Sequence, residues 1–190
     1  MFVFDIFGFF PQSLQGADIL AAQKPPHNHL VVMPDFFDGK PIDINIFPPQ
    51  TDEHKKTLGN FFEQQGAPPK AVKRIPSIIK AVEEKYPSVK EWGIVGFCWG
   101  GKVTTITLSE KDTKFKVGAI AHPAMLDAKE APNIQVPLAV LASKDEDRDD
   151  VKKFEDALSV DKHVEIFEDQ IHGVSSLISN RISPREVWHS

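Results

Sequence analysis

The segment best equipped for chemistry surrounds Cys98, the single cysteine of the chain. It reads Gly96-Phe97-Cys98-Trp99-Gly100-Gly101-Lys102 and follows the apolar run Trp92-Gly93-Ile94-Val95. Glycines two positions before and two after the cysteine, between a strand and a helix, match a nucleophile elbow with cysteine in the serine position. Such a turn lifts the sulfur above the carboxyl edge of a sheet, at a helix N-terminus whose dipole favours an anion. A sulfur placed there can attack a carbonyl carbon. The same residues also fit the first seven positions of a phosphate-binding loop, G-x-x-x-x-G-K. That match is weaker, because Val103 stands where Ser or Thr should hold magnesium, and Phe97 and Trp99 put bulk where amides should wrap phosphate. In the plainest reading, Cys98 is only a small apolar residue after a buried strand.

An elbow needs an acid and a histidine further along, in the order nucleophile, acid, histidine. Asp145 follows the β-rich run ending at Ala142, and His172 follows the run ending near Phe167. Both fall where catalytic groups of open α/β sheets collect, at the carboxyl ends of strands. Asp145 is read as the orienting acid because it is nearest the strand end, and Glu146 to Asp150 as the acidic start of a helix. Gly173 permits a tight turn after the histidine. Asp145, Asp147 and Asp149 also occupy positions one, three and five of a calcium loop. Asp150 stands where that loop requires Gly, and Asp156 where it requires Glu, so calcium is excluded. The other histidines, including His27 and His29, lack a second ligand cluster and read as surface residues, so no metal is expected.

Alternating β-rich runs and amphipathic stretches predict a largely parallel sheet covered by helices, an α/β fold. The expected strands are Phe2–Asp5, His29–Met33, Trp92–Phe97, Val117–Ala121, Pro137–Ala142 and His163–Phe167. Helices are expected over Leu14–Gln23, after an N-cap at Thr51 with Asp52 and Glu53 in its first turn, over Val72–Tyr86, and around Val151, Phe154 and Leu158. Pro76 should kink or restart the third of these. The proline-rich segments Ile46–Gln50 and Gly66–Pro69 read as loops.

The 190 residues suit one domain spanning 1–190, and 41% hydrophobic with 26% charged residues is a globular balance. The apolar stretches Met1–Phe4 and Ile6–Pro11 are broken by Asp5 and too short to span a bilayer, and no Lys or Arg precedes them as in a secretory signal. A net charge of −5 offers no footprint for nucleic acid or an anionic membrane. One unpaired cysteine fits a reducing compartment, and the expected location is cytoplasmic.

Taken together, several segments resemble the dienelactone hydrolases, the carboxymethylenebutenolidase-like branch of the α/β-hydrolases, and especially their fungal members. They are Asp5-Ile6-Phe7-Gly8-Phe9-Phe10-Pro11-Gln12, Pro34-Asp35-Phe36-Phe37, Gly96-Phe97-Cys98-Trp99-Gly100-Gly101, Ser143-Lys144-Asp145-Glu146 and Asp169-Gln170-Ile171-His172-Gly173. The resemblance implies an α/β-hydrolase fold and a Cys98-His172-Asp145 triad. It implies that Asp5 helps control the protonation of the cysteine, and that the main-chain amides of Ile6 and Trp99 form an oxyanion hole, worth roughly 3 kcal/mol per donor. It also implies hydrolysis of a small lactone or activated ester through a thioester, without metal or organic cofactor. Phe7, Phe9, Phe36, Phe37 and Trp99 would then line an apolar pocket or form ordinary core, Phe9 most readily the latter.

The resemblance has departures. Members of this family usually carry two strands ahead of the first motif and a closing helix, so the sheet is expected to be short at one side, with either self-association through its unpaired edge or only marginal stability as the expected result. No arginine follows His172-Gly173 closely, the nearest being Arg181, so no clamp for a substrate carboxylate is identified. The expected activity is therefore cysteine-dependent hydrolysis of small lactones or esters. The rival readings are a non-catalytic α/β-hydrolase-like binding or regulatory protein and, behind it, a P-loop nucleotide binder.

Overall fold

The long strand in front of Cys98 is the reference for the rest of the molecule. In the computed structural model, which describes residues 1–22 and 29–173, this strand is β2, Trp92–Phe97, with its residues alternately buried and half-buried. Its neighbours are β1, Phe2–Val3, on one side and β3, Phe115–Ala121, on the other; β4, Leu138–Ser143, and β5, Lys162–Phe167, complete the sheet. All neighbouring pairs are parallel and the spatial order is β1-β2-β3-β4-β5. With every strand running the same way, the residues that follow their carboxyl ends gather along one edge. This is an α/β-hydrolase fold in its parallel part.

The helices are α1, Pro11–Ala21; α2, Asp52–Glu63; α3, Pro68–Lys85; α4, Trp99–Leu108; and α5, Arg148–Ala157. Thr51 caps α2 as expected, its hydroxyl accepting from the N–H of His54 at 3.1 Å, with Asp52 and Glu53 in the first turn. In α5 Val151 and Phe154 are buried, and Leu158 follows them into the core from the C-cap. Among the described residues, no helix is long and apolar enough to cross a membrane.

Three expectations need correction. The segment 29–33 is no strand: the Phe2 N–H reaches Val32 C=O at 2.8 Å, but β1 is two residues long and offers too little backbone for a ladder. Pro76 does not restart a helix, because α3 runs unbroken from Pro68 to Lys85 with Pro76 inside it. Its buried stripe of Ala71, Val72, Ile75 and Ile79 packs the helix onto the core and offsets the lost bond at Pro76. Gly66–Pro69 is not all loop, since Pro68 and Pro69 open α3, where a missing N–H costs no hydrogen bond. The expected helix end at Gln23, His27, and the stretch from Arg181 onward lie outside the described residues.

The core over the β1–β2 side is aromatic. Phe37 lies 4.7 Å from the Trp99 ring, 4.9 Å from Phe61 and 5.1 Å from Phe4, centroid to centroid. The Trp99 indole N–H donates to Gly66 C=O at 2.7 Å, so burying this ring leaves its donor satisfied.

Candidate active site

Two glycines hold the turn after β2. A Cβ on Gly96 would stand 2.1 Å from Gly100 C=O, and one on Gly100 would stand 2.2 Å from Val3 C=O. In both cases the obstacle is backbone, which cannot swing aside as a side chain can. The start of α4 is thereby pressed against the end of β1. Gly96→Ala and Gly100→Ala should each cost about 3 kcal/mol or more of stability. Gly59→Ala, in α2 with open space around it, should instead be neutral or stabilising by about 0.5–1 kcal/mol. Denaturant midpoints of the three variants check the contrast.

Between these glycines Cys98 is the N-cap of α4, with φ 52° and ψ −113°. A non-glycine residue in that region stores on the order of 1–3 kcal/mol of strain, as nucleophile turns do. Three main-chain bonds hold it there. The Cys98 N–H donates to Ala121 C=O at 3.2 Å, and the Cys98 C=O accepts from Gly101 and Ala124 at 2.9 and 3.1 Å. The side chain is half-buried at the carboxyl edge of the sheet.

The histidine and the acids arrive from β5 and β4. The Lys144 N–H donates to Gln170 C=O at 3.0 Å and ties the two loops together, while Gly173, at φ 80°, turns the chain after His172. The His172 imidazole lies close enough to Cys98 to interact with its side chain, and its Nδ1 lies 2.5 Å from Glu146 Oε1. Burial opposes charge on this ring. The interaction with Cys98 and the hydrogen bond to Glu146, with the attraction of both partners, outweigh that burial and raise the His172 pKa from 6.5 to about 10.

The acid beside the ring differs from the one expected. Asp145 is exposed, and its Oδ2 accepts from the main-chain N–H of His172 at 2.8 Å, anchoring the loop rather than the ring. Glu146, expected only to open a helix, has a side chain 8% exposed. Its carboxylate also accepts from the Ser143 N–H and from the Ser143 hydroxyl. The turn after β4 directs Asp145 outward, and the extra methylene of Glu146 reaches back to the imidazole.

The remaining expected residues divide between turn and core. Asp5 is buried after β1; its Oδ1 accepts from the Phe7 N–H at 2.8 Å and its carbonyl from Gly8, so it shapes the turn that carries Ile6. Ile6 C=O accepts from Ile42 at 2.9 Å, fixing that turn to the following segment. Trp99 opens α4, so its N–H has no intrahelical partner. Phe7, Phe36, Phe37 and the Trp99 ring are buried core, and Phe36 also borders a surface pocket with Gln64, Lys70 and Arg74. Phe9, read as core, is 45% exposed, edge-on to Phe4. Lys102, the lysine of the weaker phosphate-loop match, pairs with Glu130 at 2.6 Å.

One further residue belongs here, against the expectation of a surface position. His122 follows β3, is 5% exposed, and its ring centroid lies 5.0 Å from that of His172. Like Asp145 and His172, His122 directly follows the carboxyl end of a strand, where the groups of an open α/β sheet converge.

The family model for the dienelactone hydrolase family matches residues 18–179. An uncharacterised AIM2 family protein of Schizosaccharomyces pombe is 32% identical over 96% of this chain and 73% of its own length. A carboxymethylenebutenolidase homologue of Xenopus tropicalis is 30% identical over 96% of this chain and 72% of its own. Among solved structures, a dienelactone hydrolase of Anabaena variabilis superposes with a TM-score of 0.65 at 13% identity, covering 94% of this chain and 77% of that one. With a glycine-flanked turn after the second strand, a parallel sheet of matching shape and a family match running through both, this chain belongs to the dienelactone hydrolase family.

Proposed function

We propose that the protein is a cysteine-dependent hydrolase of small lactones or esters, with Cys98 as nucleophile, His172 as proton carrier and Glu146 as the carboxylate that orients the imidazole. One observation carries it: the ring of His172 interacts with the Cys98 side chain and hydrogen-bonds a nearly buried carboxylate at the carboxyl edge of the sheet. The order along the chain is nucleophile, acid, histidine, as in α/β-hydrolases.

His172 enters the reaction charged, holding the proton that the sulfur gives up. The sulfur adds to the carbonyl carbon, and the oxygen of the tetrahedral intermediate takes the negative charge. The main-chain N–H groups of Trp99 and Ile6 are the donors for that oxygen, and Asp5 holds the turn that presents Ile6. Collapse breaks the carbon–oxygen bond, His172 gives its proton to the leaving alkoxide, and an acyl-thioester remains on Cys98. In a lactone the alkoxide stays attached to the acyl chain. Neutral His172 then takes a proton from water, whose oxygen attacks the thioester; the acid leaves, and the sulfur and the charged imidazole are restored. Asp145 acts through the loop, as the anchor of the His172 main chain.

Mixing the protein with p-nitrophenyl acetate at low pH and digesting it should yield an acetylated peptide containing Cys98. The absence of that adduct under turnover conditions, with acetyl on another residue, would overturn the assignment.

A further inference from the structure

His122 stands beside the proposed proton carrier with its own chain tightly constrained. Its N–H donates to Leu141 C=O at 2.7 Å, so the main chain after β3 is fixed to β4. Two residues on, the Ala124 N–H donates to Cys98 C=O at 3.1 Å, so the same short segment is fixed to the nucleophile. Between these ties His122 takes φ 37°, a left-handed conformation that a residue with a Cβ adopts only when its surroundings impose it. The outcome is a buried ring 5.9 Å from Phe97 on one side and 5.0 Å from His172 on the other, at 71° to the His172 plane. The ring is thus held by backbone from both sides, whereas His172 sits in a loop after the last described strand.

We infer that His122 is a positioning residue whose ring fills the space beside His172 and keeps that imidazole aimed at Cys98. The assignment rests on the cysteine–histidine reading above.

The charged groups facing His122 are His172 and Glu146, with Cys98 on the adjoining turn and the apolar ring of Phe97 completing its surroundings. Burial first, then repulsion from His172, lower the His122 pKa from 6.5 to about 4, against a smaller opposing pull from Glu146. The ring therefore stays neutral while its neighbour is charged, and a neutral aromatic ring can pack against a cation without penalty. Stability that depends on the neutral ring is fully present above pH 6.5 and is lost as pH falls towards about 4.

Two variants test the role. His122→Phe keeps a planar ring of similar size, and His122→Leu keeps bulk without the ring. With p-nitrophenyl acetate as probe, His122→Leu should lower kcat about tenfold or more with KM changed less than about twofold, while His122→Phe should stay within about threefold of the parent. A parental kcat in His122→Leu, or an equal loss in both variants, would overturn the inference. The second readout needs no turnover: the NMR signal of the His172 imidazole proton shared with Glu146 should persist in His122→Phe and broaden or vanish in His122→Leu. An unchanged signal in His122→Leu would also overturn it. If the parent has no Cys98-dependent turnover, the catalytic reading fails, and the NMR comparison alone decides whether His122 positions His172.

Discussion

Replacing Cys98 with Ala is expected to lower ester turnover by at least about 10⁴-fold, because the sulfur is the atom that forms the covalent bond and no neighbour supplies a substitute. Oriented donors at Ile6 and Trp99 can still bind a carbonyl oxygen, so residual hydrolysis slightly above the uncatalysed rate is compatible with that loss. The fold should survive. Cys98 is half-buried, and Ala meets the same left-handed backbone at φ 52°, so the stability change should stay within about 1 kcal/mol. A stopped assay with a lactone and a p-nitrophenyl ester, alongside a denaturant midpoint, separates lost chemistry from lost structure. Parental turnover in Cys98→Ala would remove the sulfur from the mechanism, whereas no turnover in the parent would make the non-catalytic binding protein the better reading.

The two neighbouring carboxylates should respond very differently to neutralisation. Glu146→Gln removes the charge beside His172 Nδ1, 2.5 Å away, and should lower kcat by about 10²–10⁴-fold, since the ring loses the partner that holds its tautomer and stabilises its charge. Asp145→Asn retains a carbonyl oxygen able to accept from the His172 N–H, so its loss should be within about tenfold. Equal losses, or a larger loss in Asp145→Asn, would return the orienting role to Asp145.

Glu146→Gln compared with the parent also makes a prediction about pH. The folded pKa of His172 lies above its unfolded value, so the stability it contributes is fully present below pH 6.5 and is lost as pH rises through about 10. Glu146→Gln takes away one of the interactions that raise this pKa, so its stability should decline less steeply over that alkaline range. Thermal unfolding followed from pH 6 to 10 measures the slope in both proteins.

Much of this arrangement was legible from local sequence. The elbow at Cys98 has its own signature, because a strand that must turn into a helix within two residues needs glycine where a Cβ would strike backbone, and Gly96 and Gly100 stand at those places. The positions of Asp145 and His172 after strands placed them at one edge, since parallel strands bring their carboxyl ends together whatever the connecting helices do. The β2 boundaries, the Thr51 cap and the buried stripe of α3 follow equally from short-range periodicity and capping.

Other features depend on contacts that no local pattern contains. Whether Asp145 or Glu146 faces the imidazole depends on the direction of a turn, and adjacent carboxylates in a sequence carry no mark of that direction. Phe9 and the rings of Phe36, Phe37 and Trp99 are all aromatic residues near the site, yet packing leaves one in solvent and buries the others. The segment 29–33 has the composition of a strand but lacks a long enough partner in β1 to pair with. His122 shows the difference most directly. Its type and place were visible, but its closeness to His172 arises only when β3 and β5 bring separate loops together, and that meeting is a property of the folded sheet.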